Sequence, residues 1–268
     1  AEPEGVCWGK TQAVRGARWR GGTLLSNRTV STNRFVLTGS VARSYGGGRN
    51  VPVSDPTAFT LRIFREHLQD AGIETDLELV NAEAVDAPSG GGKPLFVYVS
   101  PLLSEIVTEI NKRSNNFYAE QVLRTYGWGG STRGGIQRTE SFLRRAGINT
   151  RPLSLNDGSG LSRKNLVTPR ALQALLAHMN DHAAGDVFRA SIPRGGERNT
   201  TLRTRLGRTQ VRAKTGSLAF VRGLSGYAER PDGGRVAFAL FANNYTGPSY
   251  QITHTMDDIV RLLTAPPS

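Results

Sequence analysis

Cysteine is almost absent from this chain: Cys7 is the only one in 268 residues. An intrachain disulfide is therefore excluded, and so is a metal centre built on several thiolates. Histidine is scarce too, with four residues at positions 67, 178, 182 and 254. His178 and His182 stand i, i+4 on a helical pattern, but no acidic residue is placed to complete a ligand set. Core or surface roles are expected for them, and no metal or other cofactor. Long apolar runs are missing as well. No stretch approaches the ~18 apolar residues that a helix needs to cross a bilayer. The opening Ala-Glu-Pro-Glu-Gly-Val-Cys-Trp lacks the charged-then-apolar pattern of a secretory signal.

Glycine and positive charge are plentiful. Many of the 31 glycines gather in short clusters, such as Gly46-Gly47-Gly48, Gly129-Gly130 and Gly134-Gly135, which read as turns or loops. The formal net charge is +12, from 34 Lys+Arg against 22 Asp+Glu. Such a charge attracts anionic surfaces. However, the arginines are scattered, and no zinc spacing, aromatic-basic strand or long basic tract marks a nucleic-acid reader. A solvated basic surface is the expectation, with no nucleic-acid partner. An apolar fraction of 38% suffices for one large domain or two smaller ones.

Along the chain, residues 1–53 read as β-rich, with β-branched and apolar runs around 23–25 and 34–41 between Asn and Gly turns. Asp55-Pro56 opens a helix that carries Phe59, Ile63, Phe64 and Leu68 up to Gly72. A strand is expected at Leu95–Val99, and helices at 100–110, from about 116 to Gly127, at 135–146 and from Thr168-Pro169 onward. The segment 111–115 reads as a break between the first two of these. The period then changes: 211–218, 223–229 and 236–243 read as strands, the last two joined by a Pro-Asp-Gly-Gly turn. A closing helix is expected at about 249–263. The expected class is α+β, an antiparallel sheet flanked by helices.

Chemistry concentrates in three places. Lys214-Thr215-Gly216 sets an ammonium, a hydroxyl and a bare backbone at consecutive strand positions, and alternation puts Lys214 and Gly216 on one face. Ser114-Asn115-Asn116 lies in the break between two helices. Ser114 there is either a proton relay or simply the N-cap of the following helix. Asn156-Asp157-Gly158-Ser159-Gly160-Leu161-Ser162-Arg163 is a polar, glycine-rich loop ahead of the Thr168 helix.

In this order and spacing, the blocks 111–124, 157–163 with 166–172, and 213–218 resemble the class C penicillin-binding proteins of low molecular mass, the D-alanyl-D-alanine carboxypeptidase/endopeptidase family. The resemblance implies a transpeptidase-like, β-lactamase-like α+β fold, with 54–268 as the C-terminal part of the DD-peptidase domain and 1–53 as the tail of a β-rich insert. It implies acyl transfer at serine on peptidoglycan D-Ala-D-Ala peptides, with β-lactams as covalent inhibitors and a periplasmic or other extracytoplasmic location. Ser114 would pass a proton to the leaving amine, Asn116 would orient the substrate amide, and Lys214 would bring positive charge to both Ser114 and the terminal carboxylate. Thr215, Gly216 and Ser217 would bind substrate, with the Ser217 backbone N–H as half of an oxyanion hole. Asp157 and Ser159 are candidate groups of the cleft loop.

The nucleophile of that family stands in a Ser-x-x-Lys motif, and no serine of this chain has lysine three residues on. The expectation is a C-terminal portion of a longer enzyme, inactive by itself. A non-catalytic peptidoglycan-binding or scaffolding homologue is the alternative. No Glu occurs in 157–163 to activate a deacylating water, which disfavours a β-lactamase.

Overall fold

The computed structural model describes residues 53–74, 93 and 96–265, and the backbone of strands 24–28 and 35–39. The chain divides into two compact units, Ala1–Leu95 and Phe96–Ser268.

In the first unit, β1 (Leu24–Arg28) and β2 (Phe35–Gly39) pair antiparallel, with Ser26 opposite Leu37. Helix α1 (Pro56–Asp70) begins as its sequence dictates: the Asp55 carboxylate accepts the Ala58 N–H, and Pro56 fills the first position, where no donor is needed. The rest of the β-rich reading of 1–53 lies outside the described residues.

The second unit is built around a three-stranded antiparallel sheet: β3 (Val211–Leu218), β4 (Val221–Glu229) and β5 (Arg235–Asn243), in that spatial order. Register sets Lys214 opposite Ser225, Gly216 opposite Gly223 and Tyr227 opposite Ala237. Both faces are covered. On one, Val211, Ala213, Leu224 and Phe238 pack with Met256 and Val260 of α7 (Ser249–Leu263). On the other, Tyr227 packs with Ile192 and with Leu176 of α5 (Pro169–Asp181). Its hydroxyl donates to the Leu176 carbonyl at 2.6 Å. Burial of each such side chain contributes roughly 1.5–3 kcal/mol. This is the α+β class expected from the sequence.

The helices ahead of the sheet are α2 (Leu103–Arg113), α3 (Asn116–Tyr126), α4 (Thr132–Arg145), α5 and the short α6 (Gly185–Ser191). Three expectations need correction. Phe96–Val99 forms no strand and is about four-fifths exposed, because no described segment offers it a ladder partner. Helix α2 continues to Arg113, so the break expected at 111–115 narrows to Ser114 and Asn115. Gly134-Gly135, expected to be a turn, lies inside α4, which starts at Thr132 with the Ser131 hydroxyl as its cap. Packing is the reason: a Cβ on Gly135 would sit 2.2 Å from the Leu123 carbonyl oxygen, so α3 and α4 touch through bare backbone.

Candidate active site

Ser114 ends α2 in the left-handed conformation, φ 58° and ψ 49°. That conformation costs a non-glycine residue on the order of 1 kcal/mol or more. The cap reading of Ser114 is removed, because the N-cap of α3 is Asn115, whose side-chain oxygen accepts the Tyr118 N–H at 3.1 Å. The Ser114 hydroxyl is thereby left for another partner. Lys214 of β3 donates to its oxygen at 2.8 Å and to the Thr215 carbonyl at 2.8 Å.

Three contacts pin α2 where this bond can form, and a fourth braces one of its partners. The Asn111 amide donates to the Ser191 hydroxyl at 2.8 Å, and Lys112 pairs with Glu197. The Lys112 carbonyl accepts the Thr201 N–H at 3.1 Å, and the second oxygen of Glu197 accepts the Arg194 N–H at 2.8 Å. The 193–195 segment is itself laid along β3: Gly195 N–H donates to the Val211 carbonyl and Ala213 N–H to the Pro193 carbonyl, each at 2.9 Å. The loop after α6 therefore carries position from the sheet to Ser114. Desolvation pushes Glu197 up, but the Arg194 N–H and Lys112 outweigh it, and its carboxyl lies below the ordinary range.

Those two ladder bonds also show how far the outer edge of β3 is closed. Backbone groups of alternate residues point to the same edge. Val211 and Ala213 face outward, so Thr215 and Ser217 do too. Among the described residues no backbone group pairs with that edge beyond Ala213, and the Thr215 carbonyl takes only the Lys214 ammonium. An open half-strand thus runs beside the Lys214–Ser114 bond. A Cβ on Gly216 would meet nothing nearer than the Gly223 Cα at 3.8 Å, so the fold itself does not require glycine there.

Burial alone lowers Lys214 to about 8. The ammonium is poorly solvated yet still charged at neutral pH.

Asn116 is the exposed first residue of α3, with its side chain unengaged among the described residues. The 156–163 loop is braced from within. Asp157 accepts from Gly160 N–H (2.8 Å), Ser162 N–H (2.9 Å), the Asn165 amide (2.7 Å) and the Ser159 hydroxyl (3.1 Å). Burial pushes Asp157 up; those donors outweigh it and bring its carboxyl below the usual range. Both Asp157 and Ser159 therefore hold the loop's shape. Glu120 of α3, which the sequence did not single out, fixes the loop from outside: one oxygen accepts the Gly158 and Ser159 N–H groups at 2.7 and 3.2 Å, the other the Thr132 hydroxyl at 2.9 Å. Arg163 closes the far side through the Ala219 carbonyl at 3.2 Å, at the β3–β4 turn. Asn111, Lys112, Ser191 and Glu197 were also missed, since nothing in a local window tells a long-range anchor from a surface polar residue. Among the described residues no group of His, Cys, Asp and Glu could hold a metal ion, and no helix is long and apolar enough to cross a membrane.

The site thus consists of a lysine–serine pair beside an open strand edge. The chain belongs to the D-Ala-D-Ala carboxypeptidase 3 (S13) family, whose model matches residues 2–265. It is 33% identical to a D-alanyl-D-alanine carboxypeptidase of an Actinomadura species, over 92% of this chain and 48% of that one. It is 32% identical to the penicillin-sensitive carboxypeptidase A of Dictyostelium discoideum, over 90% and 49% respectively. Its fold is similar to the crystal structure of penicillin binding protein 4 from Haemophilus influenzae, with a TM-score of 0.73 and 25% identity over 90% of this chain and 56% of that one. The chain spans about half the length of the curated relatives it matches.

Proposed function

We propose that this chain supplies the substrate-holding wall and the relay serine of a serine-type D-alanyl-D-alanine carboxypeptidase. The substrate is a peptidoglycan stem peptide, penicillins bind at the same place, and the work is done outside the cytoplasmic membrane. The observation that carries the reading is the 2.8 Å bond from Lys214 to Ser114 beside the open edge of β3.

The chemistry follows from donor and acceptor roles. An ammonium only donates, so Ser114 accepts from Lys214 and its own proton is free to point elsewhere. In the acylation step a nucleophilic serine attacks the penultimate D-Ala carbonyl, an ester forms, and the C–N bond breaks. The nucleophile's proton goes to the lysine base of its own Ser-x-x-Lys segment, the departing amine takes the Ser114 proton, and Ser114 regains one from that base, while the Lys214 ammonium holds the serine oxygen as its charge rises. Water then cleaves the ester. The D-Ala carboxylate lies within reach of Lys214 and of the Thr215 and Ser217 hydroxyls, and the backbone passes over Gly216 without obstruction. The Ser217 N–H on the open edge serves the developing oxyanion, a donor whose loss costs ~10²–10³ in rate. Asn116 orients the acyl-side amide. Asp157 and Ser159 act as braces of the cleft loop.

The assignment gives this chain no nucleophile, because none of its serines stands in Ser-x-x-Lys. The test is to mix the chain with an N-acyl-D-Ala-D-Ala peptide and with benzylpenicillin, reading binding by NMR and adducts by mass spectrometry. Reversible peptide binding without a covalent adduct is expected. Stoichiometric acylation, or no binding at all, overturns the assignment.

The absence of that motif also favours a second reading, a non-catalytic peptide-binding homologue. Supplying the Ser-x-x-Lys segment of the Actinomadura relative in trans separates the two. The carboxypeptidase reading expects penicillin acylation to appear, and the second reading expects binding alone.

A further inference from the structure

At the end of β3 away from the Thr215–Ser217 edge, the sheet and the loop after α6 form a half-open cavity of about 220 Å³. Four arginines line it, Arg189, Arg194, Arg212 and Arg235, together with Gln210, Val211 and Tyr227. One carboxylate, Glu229, faces the same space and is held by Arg235 at 2.6 Å. Arg189 is paired with Asp186. Two of the four positive charges therefore have carboxylate partners. The other two do not: among the described residues Arg194 and Arg212 make no ion pair. Arg194 donates to the Gln210 side chain at 3.2 Å, and Arg212 to the Ile192 carbonyl at 3.1 Å. Arg212 acts at longer range on Glu197, whose carboxylate is already bonded by Lys112.

We infer that this cavity is a binding site for a phosphate group, free or esterified. Guanidiniums stay protonated at all working pH, so the four charges cannot relax by losing a proton. Their forked N–H groups match tetrahedral and planar oxyanions in pairs. Six of the roughly twenty N–H donors that four guanidiniums offer are engaged by the bonds these side chains make. The two unmatched charges suit a dianion better than a single carboxylate. At ~30 Å³ per water the volume equals roughly seven waters, enough for a phosphate with part of its ester but small for a drug-sized ligand. The cavity is separate from the proposed peptide cleft, because the 193–195 segment closes the β3 edge between them. The inference does not depend on the carboxypeptidase reading.

The test is calorimetric titration of the intact chain at pH 7.5 and fixed ionic strength with inorganic phosphate, glycerol 3-phosphate and acetate. Phosphate is expected to bind and acetate not. Arg194→Gln removes an exposed guanidinium whose side-chain partner is Gln210 and is expected to fold; it should weaken phosphate at least tenfold. Arg170→Gln on α5, which removes a positive charge away from the cavity, should leave binding unchanged. A tighter Kd for glycerol 3-phosphate assigns the site to an esterified phosphate and a tighter one for inorganic phosphate to the free ion; both uphold it. Equal affinity for acetate, or equal losses in R194Q and R170Q, overturns the inference.

Discussion

The Lys214 ammonium lies 2.8 Å from the Ser114 hydroxyl oxygen across a separation of 100 positions in the chain. The bond exists because Ser114 is the left-handed end residue of α2 and Asn115, not Ser114, caps α3. The cap and the proposed relay fall to adjacent residues, which makes them separable. Asn115→Ala should lose about 1 kcal/mol from the missing cap. Ser114→Gly should keep or slightly raise stability, since glycine accepts φ 58° without strain, while removing the hydroxyl. Urea unfolding of the two variants checks this; equal destabilisation would show that Ser114 supports the fold through its side chain.

Burial holds Lys214 near 8, below its ordinary 10.5. Between those values the unfolded chain binds more protons than the folded one, so stability rises with pH across the window, and the full cost of the buried charge is present below about pH 8. The span corresponds to something on the order of 3 kcal/mol. Burial raises Tyr227, whose opposing effect begins near pH 10, so the rise should be read from pH 8 to 10. Urea midpoints should climb over that range in the wild type and stay flatter in Lys214→Met.

Gly135→Ala would help most helices, by up to ~1 kcal/mol. Here the added methyl would stand 2.2 Å from the Leu123 carbonyl oxygen, so α3 must move off α4. A net loss of about 1–3 kcal/mol is expected. Because α3 carries both Asn116 and Glu120, substrate affinity should fall together with the melting temperature.

Arg205 grips Asp257 of α7 with two bonds, 3.1 and 2.7 Å, and Asp257 is almost fully buried. Asp257→Leu leaves the guanidinium without its partner and should cost about 3–5 kcal/mol. The double change with Arg205→Met should recover most of that in denaturant melts, since an apolar pair needs no desolvated charge.

Periodicity and punctuation made many of the elements legible. The caps at Asp55 and Thr168, the period-2 runs at 211–218 and 236–243 and the closing helix are all local signals, and the structure follows them. The failures share one cause. Phe96–Val99 has strand composition, but a strand exists only with a partner. The Gly134-Gly135 pair looks like a turn, but bare backbone was needed for a helix crossing. Lys214 and Ser114 were legible as candidates from motif order. The residues that bring them together, Asn111, Lys112, Ser191 and Glu197, were not, because their partners lie about 80 or more positions away in sequence.

The central claim is that Lys214 reads a terminal carboxylate at the open edge of β3. The direct measurement is the affinity of wild type and Lys214→Gln, at pH 7, for two ligands: an N-acyl-D-Ala-D-Ala peptide and its C-terminal amide. The account predicts that the wild type prefers the free carboxylate by tenfold or more, and that the variant, with its β3 backbone intact, loses that preference while binding the amide as before. The same preference in both proteins would contradict it.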